Sequence, residues 1–368
     1  MKKIIILCSG LLILWGCSKK NSTDIDWTSV TTQLKARELK TDSSLFIGLD
    51  NPIMYKNKVV GEQRNSKLLR FCQITDDSIR CFEEFLNIGN GPYEVKMPRF
   101  YWNFKEQLLI ICDYANRENK IIYIPTGNFS NISDVNTWEV SKFTPFKINN
   151  NVIAPHSLAC LEKGKFIAIP VFYADRMFAY IDNVNDTIKL LNFDYPDDKC
   201  GITSSKIRPF AYTGWFKKHP YENKFVHFTS LNRYMLIAEY KNGEIKEIAS
   251  PYKMYPQYTL EEDGRNIRRN KECYLGARKV YPTANHIYIL MNDMTVDDSR
   301  NGKLTDGYST SYCNEIYVFD WEGKPVRKYL LDHRVQNIWV DENDEAIYAT
   351  TEDMENLDRG TVFLRYSL

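Results

Sequence analysis

Several features that would assign this chain to a large protein class are scarce or missing. Alanine, the strongest helix former, occurs only 14 times in 368 residues, which argues against a helical protein. Basic and acidic residues number 48 and 47, so the chain lacks the basic excess of a nucleic-acid-binding protein. No apolar run reaches the roughly 20 residues that a membrane-spanning helix needs. What remains is a chain rich in the β-branched and aromatic residues that favour strands.

Motifs for catalysis and metal binding are absent as well. The sequence contains no G-x-S-x-G elbow, H-E-x-x-H pair, Walker loop or Rossmann glycine fingerprint. It has no C-x-x-C pair, and therefore no structural zinc site is predicted. The acidic segment 292–306 matches no EF-hand spacing, so we predict no metal site and no cofactor. Whether the protein is an enzyme stays open at this point.

The N-terminus carries an export signal. Lys2 and Lys3 precede an apolar run of 13 residues that ends at Gly16, which is the pattern of a signal peptide. The next residue is Cys17, and Leu14-Trp15-Gly16-Cys17 resembles the lipobox of bacterial lipoproteins. That resemblance implies cleavage before Cys17 and acylation of its thiol and its new amine, including a palmitate-type chain. We therefore predict a signal peptide over 1–16, a lipidated Cys17 with a flexible tether over 17–29, and one domain over 30–368.

Two lysines bear on the location of the anchored protein. In the lipoproteins that this chain resembles, acidic residues just after the lipidated cysteine accompany export to the cell surface. Lys19 and Lys20 stand there instead. We expect a lipid anchor in the cell envelope that faces the periplasm, and surface exposure stays an open alternative.

Strand-like segments recur along the rest of the chain at a regular interval. Comparable strands begin near residues 58, 108, 166, 224, 286 and 345, a spacing of about 50 to 62 residues that is typical of a β-propeller. Blades of a propeller usually have four antiparallel strands. Six such units predict an all-β, six-bladed β-propeller. The last unit is one strand short, and Val30 to Leu39 is the candidate for its outer strand, which would close the ring by pairing the N- and C-terminal strands.

The strand pattern also predicts local detail. Inner strands are expected at 98–104, 156–161, 275–281 and 335–341, with ill-defined ones near 207–215 and 45–49. If Asp76-Asp77 is a two-residue hairpin turn, Cys72 lies opposite Cys81. Local pairs of basic residues such as Lys217-Lys218 are interpreted as solvated loops.

Three features resemble the TolB-like six-bladed propeller lipoproteins of gut-type Gram-negative bacteria. These are the lipobox, the segment Gly89-Asn90-Gly91-Pro92-Tyr93-Glu94, which is similar to a G-x-G-P-x-E turn of that family, and the C-terminal pair of strand units. The resemblance implies the propeller fold. It implies no activity, because none is established for the family as a class.

Candidate binding residues follow from the expected loops on one face of the propeller, where arginine and aromatic residues commonly anchor ligands. The candidates are Tyr93, Glu94, Arg99, Arg176, Arg208, Trp215 and Tyr308. For Tyr93 and Glu94 a local interpretation competes, in which Gly89 and Gly91 serve the turn and Glu94 caps it.

Two functional hypotheses remain. The first is a lipid-anchored binding or scaffolding module that presents its loops to a protein, peptide or glycan. The second is a calcium-dependent enzyme of lactonase or lyase type with its site in the central channel. A metal enzyme requires three or four carboxylate, asparagine or histidine side chains that converge there. A binding module requires aromatic and arginine side chains instead.

Overall fold

The computed structural model describes the chain from residue 25 onward, with short gaps. The described residues are 25–41, 49–63, 67–96, 98–113, 120–127, 131–142, 147–148, 151–152, 155–171, 173–202, 204–264, 266–303 and 307–368. The predicted signal peptide and Cys17 lie outside these ranges. None of the helices in them is long and apolar enough to cross a membrane.

Six antiparallel sheets follow one another along the chain, each built on four strands that run from the axis outward. Blade 1 comprises Asp50–Tyr55, Lys58–Glu62, Lys67–Ile74 and Ser78–Ile88. Blade 2 comprises Pro98–Asn103, Leu108–Asp113, Lys120–Pro125 and Glu139–Lys142. Blade 3 comprises Pro155–Glu162, Lys165–Pro170, Ala179–Asp182 and Thr187–Leu190.

The second half of the ring repeats this order. Blade 4 comprises Gly214–Lys218, Lys224–Thr229, Arg233–Lys241 and Glu244–Ala249. Blade 5 comprises Ala277–Pro282, His286–Met291, Cys313–Asp320 and Pro325–Val335. Blade 6 comprises Asn337–Val340, Ala346–Glu352 and Thr361–Ser367, with Arg37–Glu38 as its outer strand. The six-bladed propeller predicted from the sequence is therefore confirmed.

Shorter elements connect or border the blades. Two-residue or three-residue strands are Lys40–Thr41, Glu94–Val95, Lys147–Ile148, Asn151–Val152, Lys253–Met254, Tyr258–Leu260 and Ile267–Arg269. The helices are Thr28–Val30, Val135–Thr137, Arg208–Ala211, Val296–Arg300 and Leu357–Arg359, of which only the third and fourth are α-helical.

Hydrophobic clusters fill the spaces between neighbouring blades. Val60 and Phe71 of blade 1 pack with Leu109 and Ile122 of blade 2, and equivalent clusters join blades 2 and 3, 3 and 4, and 4 and 5. The largest cluster joins blades 5, 6 and 1. Each sheet therefore buries both of its faces against neighbouring sheets. The inner strands of the sheets surround the axis of the ring, and their side chains line the space at its centre.

Two inner strands differ from the sequence prediction. That of blade 4 is Gly214–Lys218, while Arg208–Ala211 is a short helix because Pro209 lies in its first turn, where a missing N–H costs nothing. That of blade 1 is Asp50–Tyr55 rather than 45–49, and residues 42–48 lie outside the described part of the chain.

The N-terminal segment contacts two blades. Thr31–Leu34 pairs in parallel with Pro325–Val335 of blade 5. Arg37 and Glu38 pair antiparallel with Arg365 and Leu364 of blade 6. The backbone N–H of Leu39 also donates to the carbonyl of Phe363 at 2.8 Å, so Arg37 to Leu39 is the part of the candidate strand Val30 to Leu39 that contacts the C-terminal strand.

Packing begins earlier than the predicted domain boundary at residue 30. The Trp27 side chain is 8% exposed, and its ring lies edge-on to Tyr317 and Phe319 of blade 5, with centroids 5.0 and 5.2 Å apart. An aromatic side chain buried in this way fixes the chain that carries it. Trp27 is thus packed against blade 5, whereas Thr28 and Ser29 are exposed.

The hairpin register of blade 1 matches the prediction. Cys72 lies directly opposite Cys81, and Ile74 opposite Ile79. The two-residue turn at Asp76-Asp77 sets this register, because a two-residue loop leaves one pairing for the strands that it joins.

Candidate functional site

A cavity of about 510 Å³ lies on the axis, at the face where the inner strands begin. We call it the axial cavity, and this face the top face. Its wall is formed by the first residues of inner strands from blades 1 to 5 and by two residues that precede the third strand of blade 5. The side chains used below are Asn51, Glu62, Arg99, Tyr101, His156, Trp215, Lys217, Arg278, Thr310 and Ser311. A volume of this size suits a small organic ligand.

Two glycines let the backbone itself form part of the wall. A Cβ on Gly214 would stand 2.0 Å from the carbonyl oxygen of Phe228, and one on Gly276 would stand 1.9 Å from that of Thr229. Since these neighbours are backbone atoms, no side chain can be accommodated at either position. The exposed carbonyl of Gly214 lies 3.1 Å from Nε2 of His156, which holds that ring against the wall.

Trp215 is the aromatic centre of the site. Its Nε1 donates a hydrogen bond of 2.8 Å to the carbonyl oxygen of Ala277, which fixes the indole between blades 4 and 5. The ammonium groups of Lys279 and Lys217 lie 5.0 and 5.4 Å from the centroid of the ring, close enough for cation–π attraction. Two positive charges are therefore gathered around one aromatic platform.

Asn51 connects one of these lysines to the carboxylate of the cavity. Its Oδ1 accepts a hydrogen bond of 2.6 Å from Nζ of Lys279, and its Nδ2 donates one of 2.9 Å to Oε1 of Glu62. Asn51 has a positive φ of 44°, a conformation that asparagine adopts more readily than most residues. The side chain thus separates Lys279 from Glu62, so the two charges do not form a direct ion pair.

Burial shifts the protonation equilibria of these groups. It lowers the pKa of Lys279 well below its ordinary value, and the positive charge of Lys217 lowers it further. Burial also lowers the pKa of Lys217 and of His156, and raises the pKa of Glu62. All four shifts have the same cause, which is that the site holds charged groups away from water.

A narrower pocket of about 70 Å³ continues from the axial cavity towards the opposite face. Its wall is mainly aromatic, with Phe100, Trp102, Phe104 and Phe216. Lys218 reaches it as well, and burial lowers the pKa of this lysine to about 8. Lys217 and Lys279 line this pocket too, so cationic side chains continue from the axial cavity into it.

The structure brings two of the seven predicted site residues together. Arg99 and Trp215 both line the axial cavity. Arg176 pairs with Asp194. Arg208 donates a hydrogen bond to the backbone carbonyl of Pro196. The hydroxyl of Tyr308 donates one of 3.3 Å to the backbone carbonyl of Glu352. None of these last three lines the cavity, because loops and strand ends place them elsewhere.

Tyr93 and Glu94 have the local role that was the competing interpretation. The backbone N–H of Gly91 donates to Oε2 of Glu94 at 2.8 Å, and the Tyr93 ring lies edge-on to Trp138, 6.0 Å away. A Cβ on Gly89 would displace the Glu94 carboxylate, so a side chain there would disturb the contact between Glu94 and the turn. The G-x-G-P-x-E segment is a closed turn beside the outer strand of blade 1.

The interpretation of Lys217-Lys218 as a solvated loop was wrong. Both residues belong to the inner strand Gly214–Lys218 and face the channel. Lys279, Arg278 and Asn51 were missed altogether, although a lysine inside the apolar strand Ala277–Pro282 was a signal in the sequence. A charged residue amid strand-forming neighbours marks either an exposed edge or a buried polar site.

The described part of the acidic segment forms local structure. Asp298 accepts hydrogen bonds from Thr295 in a capping box at the helix Val296–Arg300, and Asp293 lies 3.7 Å from Arg334. Among the described residues, no three His, Cys, Asp or Glu side chains are grouped so that they could hold a metal. Asp306 lies outside the described residues.

Six radial sheets around a ligand-sized axial cavity define a β-propeller with a central site. The chain belongs to the TolB-like 6-blade propeller-like family, whose profile matches residues 77–343. No curated protein matches it.

Two solved proteins from Bacteroides resemble it in fold. One, from Bacteroides fragilis NCTC 9343 and described as exported, has 10% identity and a TM-score of 0.51, over 92% of this chain and 98% of that protein. The other, a member of the duf4221 family from Bacteroides vulgatus, has 11% identity and a TM-score of 0.56, over 92% and 96%.

Proposed function

We propose that this protein is a binding module of the cell envelope that is lipid-anchored through Cys17 and receives its partner at the top face. The partner is a protein, peptide or glycan, part of which enters the axial cavity. The observation that carries the proposal is the convergence of Trp215, Lys217, Arg99 and Arg278 on one cavity of ligand size. Aromatic and cationic side chains on a rigid frame are the usual means of recognition.

The composition of the wall supports binding over the enzyme alternative. A calcium-dependent lactonase or lyase needs several oxygen ligands around one ion. The described wall of the cavity holds one carboxylate, Glu62, together with Asn51, Asn292 and His156. The amide atoms of Asn51 and Asn292 already have hydrogen-bond partners within the chain, and Nε2 of His156 lies against the carbonyl of Gly214. Three cationic residues, Arg99, Lys217 and Arg278, share that wall and would repel a divalent cation.

The proposal is tested by photo-crosslinking in the intact envelope. A benzoylphenylalanine in place of Ser311, which lines the cavity, is expected to give one dominant adduct, identified by mass spectrometry. The matched control carries the same group in place of Lys246, which is exposed on the outer strand of blade 4. Adducts from the Lys246 position alone, or from neither position, would contradict a ligand site at the top face.

A further inference from the structure

Lys217 and Lys279 beside the axial cavity make no direct ion pair with a described carboxylate, in contrast to Arg70 and Lys328 elsewhere in the ring. Arg70, 2% exposed, lies 2.5 Å from the Glu84 carboxylate, and Lys328 lies 2.8 Å from that of Glu315. Within the described part of the chain, no carboxylate oxygen comes within 4.0 Å of the charged nitrogens of Lys217, Lys279, Arg99 or Arg278.

Lys279 is the most deeply buried of these cations. It is 2% exposed, and its hydrogen-bond partner is a neutral amide oxygen, that of Asn51. A buried charge without a counter-ion destabilises the fold by several kcal/mol at most sites. Because Lys279 lies beside a cavity of ligand size, a bound anion could supply the counter-charge that the chain itself does not place next to this lysine.

The remaining wall of the cavity contains polar residues beside apolar ones such as Ile53 and Leu275. Its hydroxyl groups come from Ser157, Ser230, Thr310 and Ser311. Trp215 and Tyr101 supply flat apolar surface. A ligand with several hydroxyl groups fits such a wall better than a hydrocarbon does. Its hydroxyl groups can form hydrogen bonds with the polar groups of the wall, which need partners once the ligand excludes water.

We propose that the axial cavity binds a hydroxylated anion, which is the chemistry of a sugar acid or the acidic end of a glycan, with its anionic group between Lys217 and Lys279 beside Trp215. Arg99 and Arg278 at the opening attract the ligand and contact its hydroxylated body. Lys279 lines the narrower pocket that adjoins this cavity, and Asn51, which lines the cavity itself, holds its ammonium group by a hydrogen bond of 2.6 Å. This inference rests on the proposed function and names the class of its ligand.

Iodide quenching of Trp215 fluorescence tests the anion site. The seven tryptophans of the sequence are separated by subtracting the emission of Trp215→Phe from that of the full-length protein in detergent. Iodide is expected to quench the Trp215 emission with saturation, whereas caesium does not. In Lys217→Met and Lys279→Met, half-quenching is expected to need about tenfold more iodide, since a charged hydrogen bond is worth about 1.5 kcal/mol or more. Lys246→Met is the matched control and keeps the wild-type value.

Competition identifies the ligand class. D-glucuronate is expected to protect Trp215 from iodide at lower concentration than sulfate, and D-glucose at the same concentrations is expected to give no protection. If a glucuronate tetramer protects Trp215 more strongly than the monomer does, the ligand is the acidic end of a glycan. If the two protect equally, the ligand is a free sugar acid.

Two results would overturn the inference. The first is that iodide and caesium quench Trp215 equally, or that neither lysine substitution changes the quenching by iodide. Either outcome would show that the cavity does not bind anions. The second is that sulfate protects Trp215 from iodide as well as glucuronate does, or better. This outcome would show that the site does not recognise the hydroxylated part of a sugar acid. If adducts still form at the Ser311 position in either case, the proposed function stands and only the anionic ligand fails.

Discussion

Cys17→Ser is expected to move the protein from the membrane fraction to the soluble envelope fraction almost completely. Each buried methylene contributes about 0.8 kcal/mol to membrane attachment, and one myristoyl chain anchors only marginally. The lipobox resemblance implies three chains on Cys17, so loss of the thiol removes the first acylation and the steps that follow it. Fractionation of cells followed by immunoblotting measures the change.

Cys8→Ser is the matched control for this substitution. Cys8 lies in the apolar run that leaves with the signal peptide, so its loss is expected to leave the protein in the membrane fraction. Mass spectrometry of the mature N-terminus provides a second measurement, since the lipid mass is expected on a peptide that begins at Cys17. A Cys17→Ser protein that still sediments with membranes after a carbonate wash would contradict lipid anchoring at this residue.

Lys279→Met is expected to make the protein more stable while it weakens anion binding about tenfold. Methionine fills a similar volume without a charge, and replacement of buried charges by apolar residues often stabilises a protein by about 1–4 kcal/mol. Loss of the hydrogen bond to Asn51 offsets about 1 kcal/mol of this. The net expectation is a gain of about 1–2 kcal/mol and a melting temperature higher by a few degrees. Function commonly opposes stability in this way at binding sites.

The pH dependence of this gain has a defined sign. The pKa of Lys279 is lower in the folded chain than in the unfolded one, so protonation favours the unfolded state. The cost is fully present below the folded pKa and disappears as the pH rises above about 10.4, the ordinary value for lysine. Burial is the largest cause of the lowered pKa of Lys279. Lys217 and Arg278 lower this pKa further, whereas Glu62 and Asp50 raise it.

Thermal unfolding at neutral pH and near pH 10.5 measures this dependence. The difference between Lys279→Met and wild type is expected to be largest at neutral pH and small at the alkaline end. Lys246→Met on the exposed outer strand of blade 4 is expected to stay within about 0.5 kcal/mol of wild type. A destabilised Lys279→Met at neutral pH would identify Lys279 as a structural residue and would remove the argument for an unbalanced charge.

The architecture was predictable from sequence because each blade repeats the same alternation and turn chemistry. Asp320 and Gly323 illustrate this, since they close the hairpin of blade 5 with a hydrogen bond between their backbone groups and a glycine at positive φ. The register of Cys72 and Cys81 followed in the same way from a two-residue turn. Such features depend on neighbours along the chain, which a single sequence displays directly.

The site was predictable only in part, because it depends on which inner-strand residues face the axis. Arg99 and Trp215 were found through their position near the beginning of inner strands. Lys217 was misplaced because the helix Arg208–Ala211 moves the beginning of its strand to Gly214. Lys279 and Asn51 are in contact although 228 positions separate them in the sequence. A local sequence pattern cannot predict a contact between residues so far apart in the chain.

The central claim is that an anion-binding cavity lies on the axis of six blades. The most direct test is a crystal structure of the protein soaked in iodide, with the ion located by its anomalous scattering. The account predicts an iodide in the axial cavity beside Nζ of Lys217 and near the ring of Trp215, enclosed by six sheets. Iodide only on outer-surface lysines with an empty cavity, or a ring of five or seven sheets, would contradict it.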